Sequence, residues 1–194
     1  MREELSSIGR RLLVLAAAAS LAFSTAAGAQ DAWLLLEQPG TIVLFRHANA
    51  PGVGDPAGFR LGDCATQRNL DETGRAQARA LGREFRARKV AVGAVLTSRW
   101  CRARETARLA FGAEHRVREE PAFDSYFSQG AAERDARTEM AREVLQRWSG
   151  PGLLVVVTHQ VNITALTGMN VGSGEGIVVR RTDAGLKVVG RISP

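Results

Sequence analysis

Two short uncharged runs, Thr41-Ile42-Val43-Leu44-Phe45 and Leu153-Leu154-Val155-Val156-Val157-Thr158, constrain the fold of this chain more than any other feature. Both are continuously apolar and rich in β-branched residues, as expected of strands buried on both faces rather than half-exposed ones, which would alternate. Each run leads into a histidine: Arg46-His47 follows the first, and His159 follows the second. The only other histidine is His115, set between Glu114 and Arg116 and read as a surface residue. Open α/β sheets hold ligands outside the carboxyl ends of their strands, so imidazole and guanidinium groups there point to chemistry.

The rest of the chain alternates in the same way. Residues 31–38 form a lead-in, and Pro39-Gly40 turns the chain into the first strand, Thr41 to Arg46. A Gly- and Pro-rich connection from Ala48 to Arg68 follows; a loop of that length beginning at a candidate nucleophile is expected to wall the site. Asp71-Glu72-Thr73 opens a helix to about Arg88, with Ala78, Leu81 and Phe85 on one face, and a strand is predicted over Ala91 to Leu96. Ser98 reads as the cap of a helix with Ala103, Ala107, Ala110 and Phe111 at helical spacing, which puts Arg102 in its first turn. After an aperiodic stretch from Glu114 to Gln129, a helix over Ala131 to Trp148 is predicted to turn Met140, Val144, Leu145 and Trp148 inward. Gly150-Pro151-Gly152 ends it before the second buried run, a short helix is predicted over Val161 to Leu166, and a hairpin closes around Asp183-Ala184-Gly185. Strands alternating with helices predict an α/β fold, a mostly parallel sheet covered on both faces, with the hairpin as an antiparallel edge.

Arg10-Arg11 precede an uncharged stretch from Leu12 to Ala29 that ends Ala27-Gly28-Ala29. The apolar core is too short to span a bilayer and the ending is a small-x-small cleavage site, so residues 1–29 read as a signal peptide cut before Gln30. The expectation is one domain over 30–194, periplasmic or secreted, with no stable membrane insertion after cleavage. In an oxidising compartment Cys64 and Cys101 are expected to form a disulfide. A metal site is not expected, since no Cys or His spacing completes a coordination shell. The net charge of +6 is carried almost wholly by arginine. Arg75, Arg79, Arg83, Arg86 and Arg88 are interleaved with apolar residues at helical spacing, as on a solvated helix face, and aromatics are sparse. Nucleic acid is therefore not an expected partner.

Arg46, His47, Arg102 and His159 all follow predicted strand ends, which open on one edge of a parallel sheet. Arginine offers a planar fork to phosphate oxygens, whereas imidazole attacks phosphorus only when neutral. Nearby guanidinium charge disfavours the imidazolium, so the two requirements agree. Phosphoryl transfer depends mainly on positioning and charge stabilisation, which arginines and helix N–H groups supply without a cofactor.

At these residues the chain resembles the histidine phosphatase superfamily, in its phosphoglycerate-mutase-like branch. The family's Arg-His-Gly signature corresponds to Arg46-His47-Ala48, and its helix start to Leu70-Asp71-Glu72-Thr73-Gly74-Arg75-Ala76-Gln77-Ala78. Its arginine segment corresponds to Ser98 through Ala107, and its second histidine motif to Thr158-His159-Gln160. The resemblance implies a three-layer α/β/α sandwich, a nucleophilic His47, phosphate binding by Arg46 and Arg102, and stabilisation of the transferring group by His159. Asn49, just past the histidine, stands with Arg46 and Arg102 as an expected substrate-binding residue. Among exported relatives the chain looks similar to lipopolysaccharide core heptose phosphate phosphatases, which implies a small phosphorylated substrate such as a cell-envelope phosphosugar. Ala48 and Gln160 stand where the family often has glycine. The family's acid, commonly a glutamate, has no clear counterpart; Asp124 is the first candidate for it and Glu120 the second. Trp100 and Trp148 read as packing groups.

Overall fold

The computed structural model describes residues 32–193, so the predicted signal peptide and its cleavage site lie outside the described residues. A helical turn at 32–35 leads to strand β1, Thr41–Arg46. Then come helix α1 (Glu72–Ala87), β2 (Val92–Thr97), α2 (Cys101–Phe111), β3 (Val117–Glu119), α3 (Ala131–Gln146), β4 (Leu153–Thr158), α4 (Gln160–Thr167) and the hairpin β5 (Gly176–Thr182) and β6 (Gly185–Ile192). The six strands form one sheet in the order β3-β2-β4-β1-β5-β6. β3, β2, β4 and β1 run parallel, whereas β5 and β6 join antiparallel, as the sequence leads one to expect of a final hairpin.

Side chains along a strand point alternately to opposite faces, which divides the two apolar runs between two cores. Val43, Phe45, Val155 and Val157 meet Leu81 and Phe85 of α1 and Ala103, Ala107 and Phe111 of α2. Ile42, Leu44, Leu154 and Val156 meet Ala141 and Leu145 of α3 and Ile163 and Leu166 of α4. The result is a three-layer α/β/α sandwich. Among the described residues no helix is long and apolar enough to cross a membrane.

Three details differ from the sequence reading. Met140 is 48% exposed, and Ala141 takes its place in the core: Ala141, Leu145 and Trp148 fall at i, i+4 and i+7, so the apolar stripe lies one residue beyond Met140. Ser98 does not cap α2, whose N-cap position is Trp100 without a side-chain cap bond. The aperiodic segment contains β3, which at three residues is too short to show a period.

Asp71 does cap α1, its Oδ1 accepting from the Gly74 amide at 2.7 Å. Gly74 also lets the helix start abut the chain beyond His47, since a Cβ there would stand 2.0 Å from the carbonyl oxygen of Asn49. The Cys64–Cys101 disulfide forms, joining the long connection to the first residue of α2. It closes 37 residues of sequence. Replacing both cysteines with serine is expected to lower unfolding free energy by about 3–4 kcal/mol in the chain-entropy description. Urea titration of the two proteins measures it; unchanged midpoints would contradict the expectation.

Candidate active site

β1 and β4 pair in parallel with Arg46 opposite Thr158, and the His47 amide donates to the Thr158 carbonyl at 2.9 Å. Both strands therefore deliver their histidines to the same edge, where the two rings meet edge to face with centroids 5.4 Å apart. β2 lies on the other side of β4, so the turn after Thr97 brings Arg102, in the first turn of α2, to the same place. The carboxyl-edge geometry thus follows from strand order alone.

The hydrogen bonds assign the state of His47. Its Nδ1 lies 2.8 Å from the Ala48 carbonyl, which can only accept, so Nδ1 carries the proton and Nε2 keeps a lone pair. That lone pair faces the Nε–H of Arg102 at 3.2 Å. Burial, with the charges of Arg102, Arg46 and Arg68, lowers the His47 pKa to about 3, against the raising effect of the Ala48 bond. His159 is also held well below its ordinary value, first by burial and then by Arg102. Desolvation lowers the pKa values of Arg46, Arg68 and Arg102 as well.

Arg46 is held by the side-chain oxygen of Gln160 at 2.9 Å and the Val171 carbonyl at 3.0 Å. Arg102 is buried with Asp55, their N···O distance being 2.8 Å. Asp55 also accepts from the Trp100 indole N–H at 3.0 Å and the Arg68 amide at 3.1 Å. Arg68 in turn donates to the carbonyls of Gly54, at 2.7 Å, and Ala50. The residues of the long connection thus form one wall of a cleft of about 850 Å³, as its length implied. Arg46, His47, Arg102 and His159 all line that cleft.

The remaining site candidates stand elsewhere. Neither Asp124 nor Glu120 is among the cleft-lining residues. Glu120 caps a 3-10 turn by accepting from the Ala122 amide at 3.2 Å. Asp124 is buried and engaged by the Arg99 amide at 2.8 Å and the Arg99 Nε–H at 2.7 Å. Its Oδ1 also accepts from the Ser98 hydroxyl at 3.3 Å, and the Ser98 oxygen lies 2.8 Å from Nε2 of His159. Asp124 is therefore linked to the cleft-lining His159 through Ser98. That chain puts the His159 proton on Nε2 and leaves its buried Nδ1 without a partner. Asn49, too, is absent from the cleft lining; its side-chain amide donates to Asp71 at 2.9 Å, tying the chain after His47 to the start of α1.

Among the cleft residues that escape the sequence reading are Trp100, Asp55 and Arg68. Trp100 packs, but it also lines the cleft, edge to face with His159 at 5.7 Å. Asp55 and Arg68 have no periodic neighbourhood; the available signal for Arg68 is its place three residues before the Asp71 cap. Among the described residues no group of three or more His, Cys, Asp or Glu side chains gathers as a metal cluster.

Residues 42–127 match the model of the histidine phosphatase superfamily, branch 1. Over those residues the chain is similar to the histidine phosphatase superfamily. Solved structures of similar fold include an Escherichia coli K-12 protein described as an alpha-ribazole-5′-P phosphatase, 18% identical with a TM-score of 0.60 over 79% of this chain and 96% of that one. A mycobacterial glucosyl-3-phosphoglycerate phosphatase complexed with VO3 is 16% identical, with a TM-score of 0.58 over 78% and 98% of the two chains. The protein histidine phosphatase SixA complexed with tungstate is 16% identical, with a TM-score of 0.52 over 79% and 97%. No curated protein matches the sequence.

Folded His47 and His159 resist protonation, whereas unfolded imidazoles take up protons near pH 6.5. Stability should therefore decline as pH falls from about 6.5 toward 3, because the unfolded state then binds more protons. In an NMR titration between about pH 7 and pH 5 both rings should remain neutral. A midpoint near 6.5 for either ring would refute this.

Proposed function

We propose that this protein belongs to the histidine phosphatase superfamily and is a phosphatase that hydrolyses phosphomonoesters through a phosphohistidine on His47. The observation that carries the reading is the His47 Nε2 lone pair, fixed by the Nδ1–H bond to Ala48 and set beside Arg102. Nε2 attacks phosphorus, an N–P bond forms, and the P–O bond to the leaving group breaks. The leaving oxygen takes up a proton, and water then cleaves the N–P bond, releasing inorganic phosphate and restoring Nε2. Arg46 and Arg102 hold the phosphoryl oxygens, Arg68 adds positive charge at the same end, and His159 lies against the transferring group. That vanadate and tungstate complexes are known for proteins of this fold fits an oxyanion at this end.

The predicted signal peptide and the disulfide support an exported protein, for which a cell-envelope phosphosugar is the proposed substrate. With p-nitrophenyl phosphate, His47→Ala should abolish turnover, and Arg102→Ala should lower kcat/KM by about 10²–10³-fold. Unchanged turnover in His47→Ala would remove the mechanism. Rapid-quench trapping of phosphohistidine separates an enzyme from a phosphate-binding module that retains the fold without turnover.

A second reading, hydrolysis of acyl phosphates or phosphoramidates, is favoured by the placement of the carboxylates. Asp124 and Glu120 stand off the cleft, and Asp55 is ion-paired with Arg102. An alkyl alcohol needs a proton donor to leave, whereas an acyl phosphate expels a weakly basic carboxylate. Under this reading acetyl phosphate turns over at least about 10²-fold faster than an alkyl phosphate, and comparable rates would exclude it.

A further inference from the structure

The cleft is larger than the chemistry requires, and its charge does not end with the phosphate pocket. Five arginines line it, Arg46, Arg68, Arg102, Arg134 and Arg142, against only two aspartates, Asp55 and Asp135. Asp55 is committed to Arg102 at 2.8 Å, and Asp135 to Arg134 at 2.9 Å. Arg46 and Arg68 belong to the reacting end. Arg142, on α3, is left as a cation at the opposite end.

We propose that Arg142 forms a second anion-binding subsite, so that the substrate is a phosphomonoester bearing a further anionic group about 9 Å from the reacting phosphate. The inference deepens the phosphatase reading by naming a substrate class for the same cleft.

The spacing comes from α4, which starts directly after His159 and lends residues from both of its turns to the cleft lining. Gln160, Val161, Thr164 and Ala165 line the cleft from that helix. The Arg142 guanidinium donates to the Ala165 carbonyl at 3.4 Å. Ala165 is six residues beyond His159, and at about 1.5 Å of rise per residue the two ends stand about 9 Å apart. One long hydrogen bond leaves most of the five guanidinium N–H donors of Arg142 unspent. Among the described residues no carboxylate reaches Arg142 at ion-pair distance, and its neighbour Glu143 is paired with Arg147 at 2.8 Å. A half-buried arginine with free donors facing a ligand cleft is suited to a planar or tetrahedral oxyanion.

The middle of the cleft supports a neutral linker between two charged ends. Val161 and Ala165 present apolar surface, and the Tyr126 hydroxyl is used on the Val161 carbonyl at 2.6 Å, which leaves its ring to the cleft. Phe127 stands 57% exposed at the same opening. An apolar or ring-shaped body fits this stretch without stranding a charge.

Non-hydrolysable probes test the subsite without turnover. The wild-type protein is titrated calorimetrically with hexylphosphonate, hexane-α,ω-diphosphonate and ω-carboxyhexylphosphonate, the last two distinguishing a phosphoryl from a carboxylate as the second anion. At least one doubly anionic probe should bind about fivefold or more tightly than hexylphosphonate. Arg142→Gln should erase that advantage while leaving hexylphosphonate affinity within about twofold. Equal affinities in the wild type, or an equal loss for all three probes in Arg142→Gln, would overturn the proposal. Turnover of p-nitrophenyl phosphate is followed in parallel. Turnover without the affinity advantage removes the subsite alone, whereas the advantage without turnover removes the enzymatic reading and keeps the subsite.

Discussion

The parallel pairing of β1 with β4 is the constraint on which the site depends. Both strands are buried on both faces, so a shift in register would exchange residues suited to one core for those suited to the other. The register Arg46 opposite Thr158 is therefore fixed by packing, and it fixes the distance between His47 and His159 as a by-product. β2 extends the same parallel arrangement and adds Arg102. No loop has to be specially shaped to bring the two imidazoles together; the core does it.

Packing also creates the electrostatics. Arg46, Arg68 and Arg102 converge at a partly desolvated end of the cleft, where Asp55 pairs with Arg102. Such a cluster is unfavourable when empty, since partly desolvated cations repel each other and their hydration is incompletely replaced. An anion held among the three guanidinium groups would relieve both costs at once. Burial first, and then the same cations, keep the adjacent imidazoles neutral.

The sequence disclosed what is set by periodicity and by strand ends. The two buried runs, the helices carrying Leu81 and Ala107, the final hairpin and the Cys64–Cys101 bond were legible because each has a local signature. Arg46, His47, Arg102 and His159 were legible because they directly follow such elements, and the structure gathers them around one cleft. Asp55 and Arg68 were not, since their positions depend on the folded path of a glycine-rich connection rather than on any period. Asp124 shows the opposite difficulty. An acidic residue near the right place in the chain attracts a catalytic reading, yet only three-dimensional contacts reveal that Ser98 and Arg99 consume its oxygens.

The disulfide has a consequence beyond stability. Cys101 immediately precedes Arg102, so the bond to Cys64 fastens the long connection to the backbone that carries the Arg102 guanidinium. Asp55 makes a second fastening to Arg102 itself, and the Asp71–Asn49 contact a third near His47. A segment tethered at several points around its own pocket is a poor hinge. Such tethering favours a pocket formed in advance of its ligand over one that closes upon it, which lowers the ordering cost of binding.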